Sequence, residues 1–325
     1  MSRLKSLAKH LITFVKGSLL FSYNLQKHDH LWVVMYHRVL PKNSPAYARE
    51  EPGMVVSPEI LEMHLNFFAK YFTIVGIDSL SNPKPKSTFR KPRLIVTFDD
   101  GWVDNFRYAF PLLQKHNVPA CIYLVTEMIN TNRSFWPNVI SKCIHDGLTD
   151  QLISAFQITP PTDLKVPTRE LCAQLIAQIK SRSDTEIWAI LAANQWDTPA
   201  DDADRLLSWE EIDTMYGTGL ITFGSHTCNH LRLTKNLPES IIKRELTESA
   251  KSLDERIGTP CLHFCYPNGD SSNVAEKDVE NTYVTAVTTE KGINTPATDK
   301  LRLKRIGVFD DVTKTTMQLR ARLNG

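Results

Sequence analysis

Charge of one sign is missing from this sequence: 38 lysines and arginines face 36 aspartates and glutamates, a formal net charge of +2. Such a balance offers no electrostatic footprint for nucleic acid or another polyanion. Paired cysteine motifs are missing too. Cys121, Cys143, Cys172, Cys228, Cys261 and Cys265 are scattered, and none of their spacings is that of a zinc ribbon. A chain of 325 residues, 42% hydrophobic, buries a core without disulfide staples. The six therefore read as reduced thiols, which favours a cytoplasmic protein, including one at the inner face of a membrane. No internal repeat or low-complexity tract occurs.

A long unbroken apolar run is absent as well. The first 27 residues carry Arg3, Lys5, Lys9, Lys16 and Lys27 with no acid, interleaved with Leu4, Leu7, Leu11, Ile12, Phe14, Val15, Leu19, Leu20 and Phe21. Lys16 breaks the apolar stretch and no small-residue cleavage site follows, which argues against a secretory signal. The stretch is too short for a spanning helix. Residues 1–27 instead form a basic amphipathic pattern with two readings, a helix lying on an anionic membrane surface or a helix docked on the domain.

What is present is an alternation of short apolar runs with helical stretches, the pattern of an α/β fold on parallel strands. The candidate strands are Leu31–Tyr36, Leu94–Phe98, Ala120–Val125, Leu220–Gly224, Leu262–Cys265 and Tyr283–Val287. Helices are expected around Pro58–Tyr71, Val103–His116 and Pro238–Ile257. Between about residues 128 and 207 the strand signal fades into helices broken by Thr159-Pro160-Pro161-Thr162 and Asp197-Thr198-Pro199. This is read as an insertion in a domain spanning 28–325. Following a strand, it is expected to border the site.

Two motifs carry chemistry. Arg93-Leu94-Ile95-Val96-Thr97-Phe98 reads as a buried strand that ends in Asp99-Asp100-Gly101. Adjacent extended residues point in opposite directions, so one acid can bind a metal while the other faces substrate; the plainer alternative is a turn capping the next helix. The second motif is Leu220–Gly224 followed by Ser225-His226-Thr227-Cys228-Asn229-His230. Histidines four apart project from one side of a helical turn, as a shared metal requires. With an acid from another strand they make a two-histidine, one-carboxylate set that leaves positions open for water and substrate. A divalent ion there, zinc above all, lowers the pKa of water and polarises a carbonyl, and a second carboxylate accepts the proton.

Thr97-Phe98-Asp99-Asp100-Gly101 together with Ser225-His226-Thr227-Cys228-Asn229-His230 resembles the polysaccharide deacetylase family, the NodB-homology group of carbohydrate esterases. The resemblance runs from about Trp32 to Val308. It implies a distorted parallel (β/α) barrel of about seven strands, an N-acetylated amino-sugar substrate, Asp99 as general base, and Asp100, His226 and His230 as metal ligands. Phe264-Cys265-Tyr266-Pro267-Asn268-Gly269 resembles the family's third motif, placing Tyr266, Pro267 and Asn268 at the substrate or oxyanion position, with the backbone N–H of Asn268 as donor. Cys265 stands where many members have an arginine that orients the base. Arg305, after a candidate late strand, is the proposed replacement partner of Asp99.

The late Leu-x-His motif of many members is missing. Met35-Tyr36-His37-Arg38-Val39 instead resembles the circularly permuted branch that deacetylates β-1,6-linked N-acetylglucosamine polymers, which makes His37 the general acid. Trp102, Phe135, Trp136 and Trp209 are candidate sugar-stacking walls or core residues, with Trp102 favoured by its place beside Gly101. Cys228 reads as packed rather than ligating. Three other functions remain open at this point: a deformylase or deacetylase of a lipid-linked sugar, a non-haem iron oxygenase with the same ligand set, and a non-catalytic carbohydrate-binding relative.

Overall fold

Among the described residues ten strands form, in chain order β1 (Leu31–Tyr36), β2 (Arg38–Val39), β3 (Val55–Val56), β4 (Thr73–Ile74), β5 (Arg93–Phe98), β6 (Ala120–Leu124), β7 (Ile221–Ser225), β8 (His263–Cys265), β9 (Thr285–Lys291) and β10 (Leu303–Gly307). They come from a computed structural model that describes residues 20–81, 90–161 and 168–324. Seven of them, β1, β5, β6, β7, β8, β9 and β10, run parallel and pair in a ring, closed where β1 meets both β5 and β10. This is the expected (β/α) barrel. The short β4 pairs only with Arg93 and Leu94 of β5, below the point at Val96 where β6 begins.

Side-chain alternation explains why the strands read as unbroken apolar runs. Val33, Ile95, Cys121, Tyr123, Cys265, Val287 and Leu303 share one cluster inside the ring. Their neighbours Trp32, Val34, Leu94, Val96, Ile122 and Phe264 join the larger core under the helices. Thr97 and Asp99 continue the inward series of Ile95, so Asp99 falls at the barrel mouth at the C-terminal end of β5.

The expected helix over 103–116 is composite. A π-helical turn, Asn105–Ala109, precedes the α-helix Phe110–His116. Pro111 supplies no N–H to the turn before it, which removes an ordinary i→i−4 bond there. Arg305 also differs from expectation: it lies within β10 rather than after it.

Residues 136–193 hold four helices, Trp136–His145, Thr149–Phe156, Thr168–Ile179 and Asp184–Ala193. They share a hydrophobic cluster of their own, including Ile140, Leu152, Phe156, Leu175, Ile179, Ile187 and Leu191. Arg169 ties them to the barrel, donating to the carbonyls of Glu50 (2.6 Å) and Glu51 (3.3 Å). Residues 1–19, most of the basic amphipathic pattern, lie outside the described residues. Of the rest, Phe21 is buried with its ring 5.5 Å from both Phe67 and Tyr71, while Leu20 and Tyr23 are exposed. Among the described residues no helix is long and apolar enough to cross a membrane.

Candidate active site

The two acids after β5 part company through backbone conformation. Asp99 keeps the strand's direction, its N–H bonded to the carbonyl of Tyr36 at 3.0 Å. Asp100 adopts φ 73° and turns away, a left-handed state that few non-glycine residues hold without support. Gly101 follows at φ 77°, and a Cβ there would stand 2.6 Å from the Leu124 side chain. Only glycine fits.

Asp100 meets both histidines of the second motif. Its Oδ1 is 3.4 Å from His226 Nε2 and 3.5 Å from His230 Nε2. The donor atoms of the three residues lie within 4.8 Å of one another. His226 Nδ1 donates to the Cys265 carbonyl at 2.8 Å, which turns Nε2 toward Asp100; burial would lower the ring, but Cys265 and the facing Asp100 hold it well above the ordinary imidazole range. Burial, with His226 beside it, presses His230 down to about 4, so its ring is neutral at neutral pH. Asp100 is held below the ordinary carboxylate range: burial raises it, and the facing histidines outweigh that. Two imidazole nitrogens and one carboxylate oxygen are the donor set of a divalent zinc-type site, and a bound cation would take the place of the proton on His226.

A second grouping, Asp99, His226 and Cys265, is equally compact. It suits a cation poorly, because an arginine already occupies it. Arg305 forks onto Asp99, with NH1 to Oδ1 at 2.6 Å and NH2 to Oδ2 at 2.7 Å. NH2 also lies 3.2 Å from Cys265 Sγ, and Nε donates to the Thr288 carbonyl at 2.8 Å. Burial raises the Asp99 carboxyl, but the guanidinium outweighs it and keeps the group ionised. Cys265 thus leaves beside Asp99 the space in which the Arg305 guanidinium lies. His37 Nε2 is 3.7 Å from Asp99 Oδ2, the oxygen that Arg305 NH2 also meets, and the His37 carbonyl accepts from Asn105 Nδ2 at 2.8 Å.

These groups open into a cleft of about 470 Å³ lined by His37, Asp99, Asp100, His226, His230 and Asn268, with the inserted helices forming another wall. Of the third motif, it is Asn268, at φ 55°, that lines the cleft. Tyr266 is 1% exposed with its N–H on the Val287 carbonyl at 3.1 Å, and Pro267 is buried without an N–H to give. The expectation for those two residues as oxyanion or substrate groups is corrected accordingly.

Trp102 is corrected as well. It is 1% exposed, its indole N–H donates to Asp100 Oδ2 at 2.9 Å, and the Arg38 guanidinium covers its ring at 4.1 Å. It orients a candidate ligand and borders the cleft with almost none of its ring exposed. Phe135 packs edge-on against His230, Trp136 lines the cleft, and Trp209 packs on the core with Arg256 over its ring. Cys228 is 1% exposed and directed to the Glu245 carbonyl.

The sequence left Arg38 and Glu245 without a role. Arg38, 1% exposed, binds Asp104 (2.9 Å), Glu50 (2.9 Å) and Asp204 (2.7 Å). Glu245, equally buried, accepts the Asn229 N–H at 2.9 Å and its side-chain amide at 3.0 Å, fixing the turn between the two histidines. No spacing links these partners, so only the Tyr-His-Arg tripeptide at Arg38 offered any signal.

With this geometry in place, comparison decides the family. A profile described as polysaccharide deacetylase matches residues 86–287, more than half of the chain. The chain belongs to the polysaccharide deacetylase family. A provisionally named polysaccharide deacetylase of Bacillus subtilis, YxkH, is 29% identical over 131 residues. That match spans 38% of this chain and 42% of the relative, less than half the length of each.

The fold is that of the Streptococcus pyogenes deacetylase PplD, solved in complex with acetate (TM-score 0.59, 17% identity, 90% of this chain and 98% of that one). It is likewise that of IcaB from Ammonifex degensii (TM-score 0.58, 19% identity, 91% and 98%). A de-N-acetylase from Aggregatibacter actinomycetemcomitans also shares it (TM-score 0.55, 18% identity, 90% and 100%). Membership supports deacetylation of a polysaccharide, a hydrolytic reaction, and deacetylases of this family generally use a divalent metal.

Proposed function

We propose that this polysaccharide deacetylase is a metal-dependent hydrolase that removes N-acetyl groups from an amino sugar in a polysaccharide or glycan precursor. The observation that carries the reading is the meeting of Asp100, His226 and His230 beside an Asp99 already clamped by Arg305. Asp100, His226 and His230 would hold a divalent ion, zinc by the chemistry of the donors. Such an ion supplies Lewis-acid polarisation of a carbonyl and a lowered pKa for water.

The chain's own residues do the rest. Arg305 keeps Asp99 fixed and ionised beforehand, and Asp99 then accepts the proton of the attacking water and becomes the neutral acid. The acetamide carbon gains that oxygen and loses its bond to nitrogen, releasing acetate. His37, 3.7 Å from Asp99 Oδ2, protonates the departing amine, as in the branch with an early histidine. The backbone at Asn268 faces the charge that develops on the carbonyl oxygen.

Acetate release from acetylated glucosamine oligomers tests this. Asp99→Asn should lower the rate by roughly 10²- to 10⁴-fold while barely changing oligomer binding. A variant that keeps the original rate removes Asp99 from the role of base, and a wild-type chain that binds the sugar without turnover is a carbohydrate-binding relative instead.

A further inference from the structure

The catalytic groups account for only part of the cleft lining. Glu50, Glu51 and Met54 come from the loop that leads into β3, and Trp136, Ile176, Lys180, Asp184 and Trp188 come from the inserted helices. At about 470 Å³ the cleft is of the size that encloses a drug-sized ligand, more than one sugar unit needs.

Most charges in that wall are already satisfied. Glu50 binds Arg38 at 2.9 Å, Lys180 Nζ donates to Asn268 Oδ1 at 3.0 Å, Asp184 pairs with Arg232 at 3.0 Å, and Arg133 donates to Asn229 Oδ1 at 2.9 Å. Glu51 differs. Among the described residues no hydrogen bond or ion pair reaches its carboxylate, although its backbone carbonyl is fixed by Arg169. Burial, with Glu50 next to it, pushes the carboxyl up to about 7 against the pull of the nearby Lys180. A carboxylate partly withdrawn from water without a hydrogen-bond donor is costly unless a ligand supplies one. Its backbone is tethered to an inserted helix, so it is held in place before any ligand arrives.

We infer that Glu51 is a specificity-determining residue: it accepts a hydrogen bond from a hydroxyl or ammonium on the sugar flanking the one that is deacetylated. Trp136 and Trp188 in the same wall supply apolar faces for a pyranose ring. The substrate is then at least two linked sugars, and the inserted helices select it. This rests on the deacetylase reading above and goes beyond it in naming what the inserted wall recognises.

The test compares full-length wild type with Glu51→Ala and Glu51→Gln. Acetate release is measured on N-acetylglucosamine, on its fully acetylated pentamer, and on a partly deacetylated pentamer, with pentamer binding followed by calorimetry. The readout is the preference for oligomer over single sugar in kcat/KM, which cancels general damage to the enzyme. Glu51→Ala should reduce that preference about tenfold, the loss of one charge-assisted hydrogen bond.

Glu51→Gln distinguishes the two donors. An ammonium predicts a loss confined to the partly deacetylated pentamer, and hydroxyls predict a comparable loss on both. An unchanged preference in both variants overturns the inference. Pentamer binding without turnover in any protein would sink the hydrolase reading, and the Glu51 inference would then stand or fall on whether the alanine variant weakens that binding about tenfold.

Discussion

Arg305 and Asp99 are far apart in the chain and form a bidentate pair at the barrel mouth. Their fork is buried on both sides, with the guanidinium fully inaccessible and Asp99 3% exposed in its side chain. Removing one partner of a buried pair strands the other, which typically costs about 3 to 5 kcal/mol. Arg305→Met should therefore lower the thermal midpoint measurably and abolish acetate release. Arg305→Lys should recover part of the stability and little of the activity, because an ammonium cannot engage both oxygens. Thermal melts of the two variants beside wild type check this, and a methionine variant as stable and active as wild type would remove the fork from the mechanism.

His64 is a second buried residue with a measurable signature. It lies in the helix Pro58–Tyr71, bonded to Tyr36 Oη at 3.0 Å and to the Thr313 carbonyl at 2.8 Å. Burial presses its pKa from 6.5 down to about 4. The unfolded chain then binds more protons than the folded one between pH 6.5 and 4. Stability from this residue is intact above the upper value and is lost as pH falls through that window, by about 3 kcal/mol at most. Urea unfolding from pH 8 to 4 should show the loss, and the slope should be smaller in His64→Gln. An equal slope in the two proteins would show that other groups cause it.

Among the elements, the inserted helices stand apart. Their cluster around Phe156, which is fully buried, is separate from the barrel's cores. Phe156→Ala should cost about 3 to 5 kcal/mol in that cluster. Hydrogen exchange should then rise over residues 136–193 while β5, β6 and β7 keep their protection. Uniform loss of protection would mean that insertion and barrel unfold as one unit. The strands themselves were legible because each is apolar on both faces, one lining the ring and one covered by helices. Their ends were less so: β9 begins at Thr285 and runs on to Lys291, through polar residues that hydrophobicity could not assign to a strand. Pro111 hid the π-helical turn for a related reason, since spacing reports that a helix is present and not which hydrogen bond closes each turn.

For the whole molecule, the reading of the site turns on a divalent ion. Chelation should reduce both acetate release and thermal stability, since a ligand bound only by the folded state stabilises it by mass action. Restored zinc should return both. Full activity in exhaustively chelated protein, with metal content confirmed as nil, would end the metal-dependent account.

What the sequence by itself determined is local. Asp99-Asp100-Gly101 after an apolar strand, and two histidines four apart after another, are patterns within a few residues, and the barrel follows from apolar runs repeating at βα spacing. What only tertiary structure decided is pairing across the ring. Arg305 meets Asp99 across 206 positions, Arg38 gathers Asp104, Glu50 and Asp204, Trp102 gives its indole to a ligand, and Glu51, without a hydrogen-bond partner among the described residues, lines a wall that the inserted helices complete. Which side chains come to face one another at a barrel mouth depends on strand register and on the paths of the loops. Those are set by packing over the whole chain, and no local pattern encodes them.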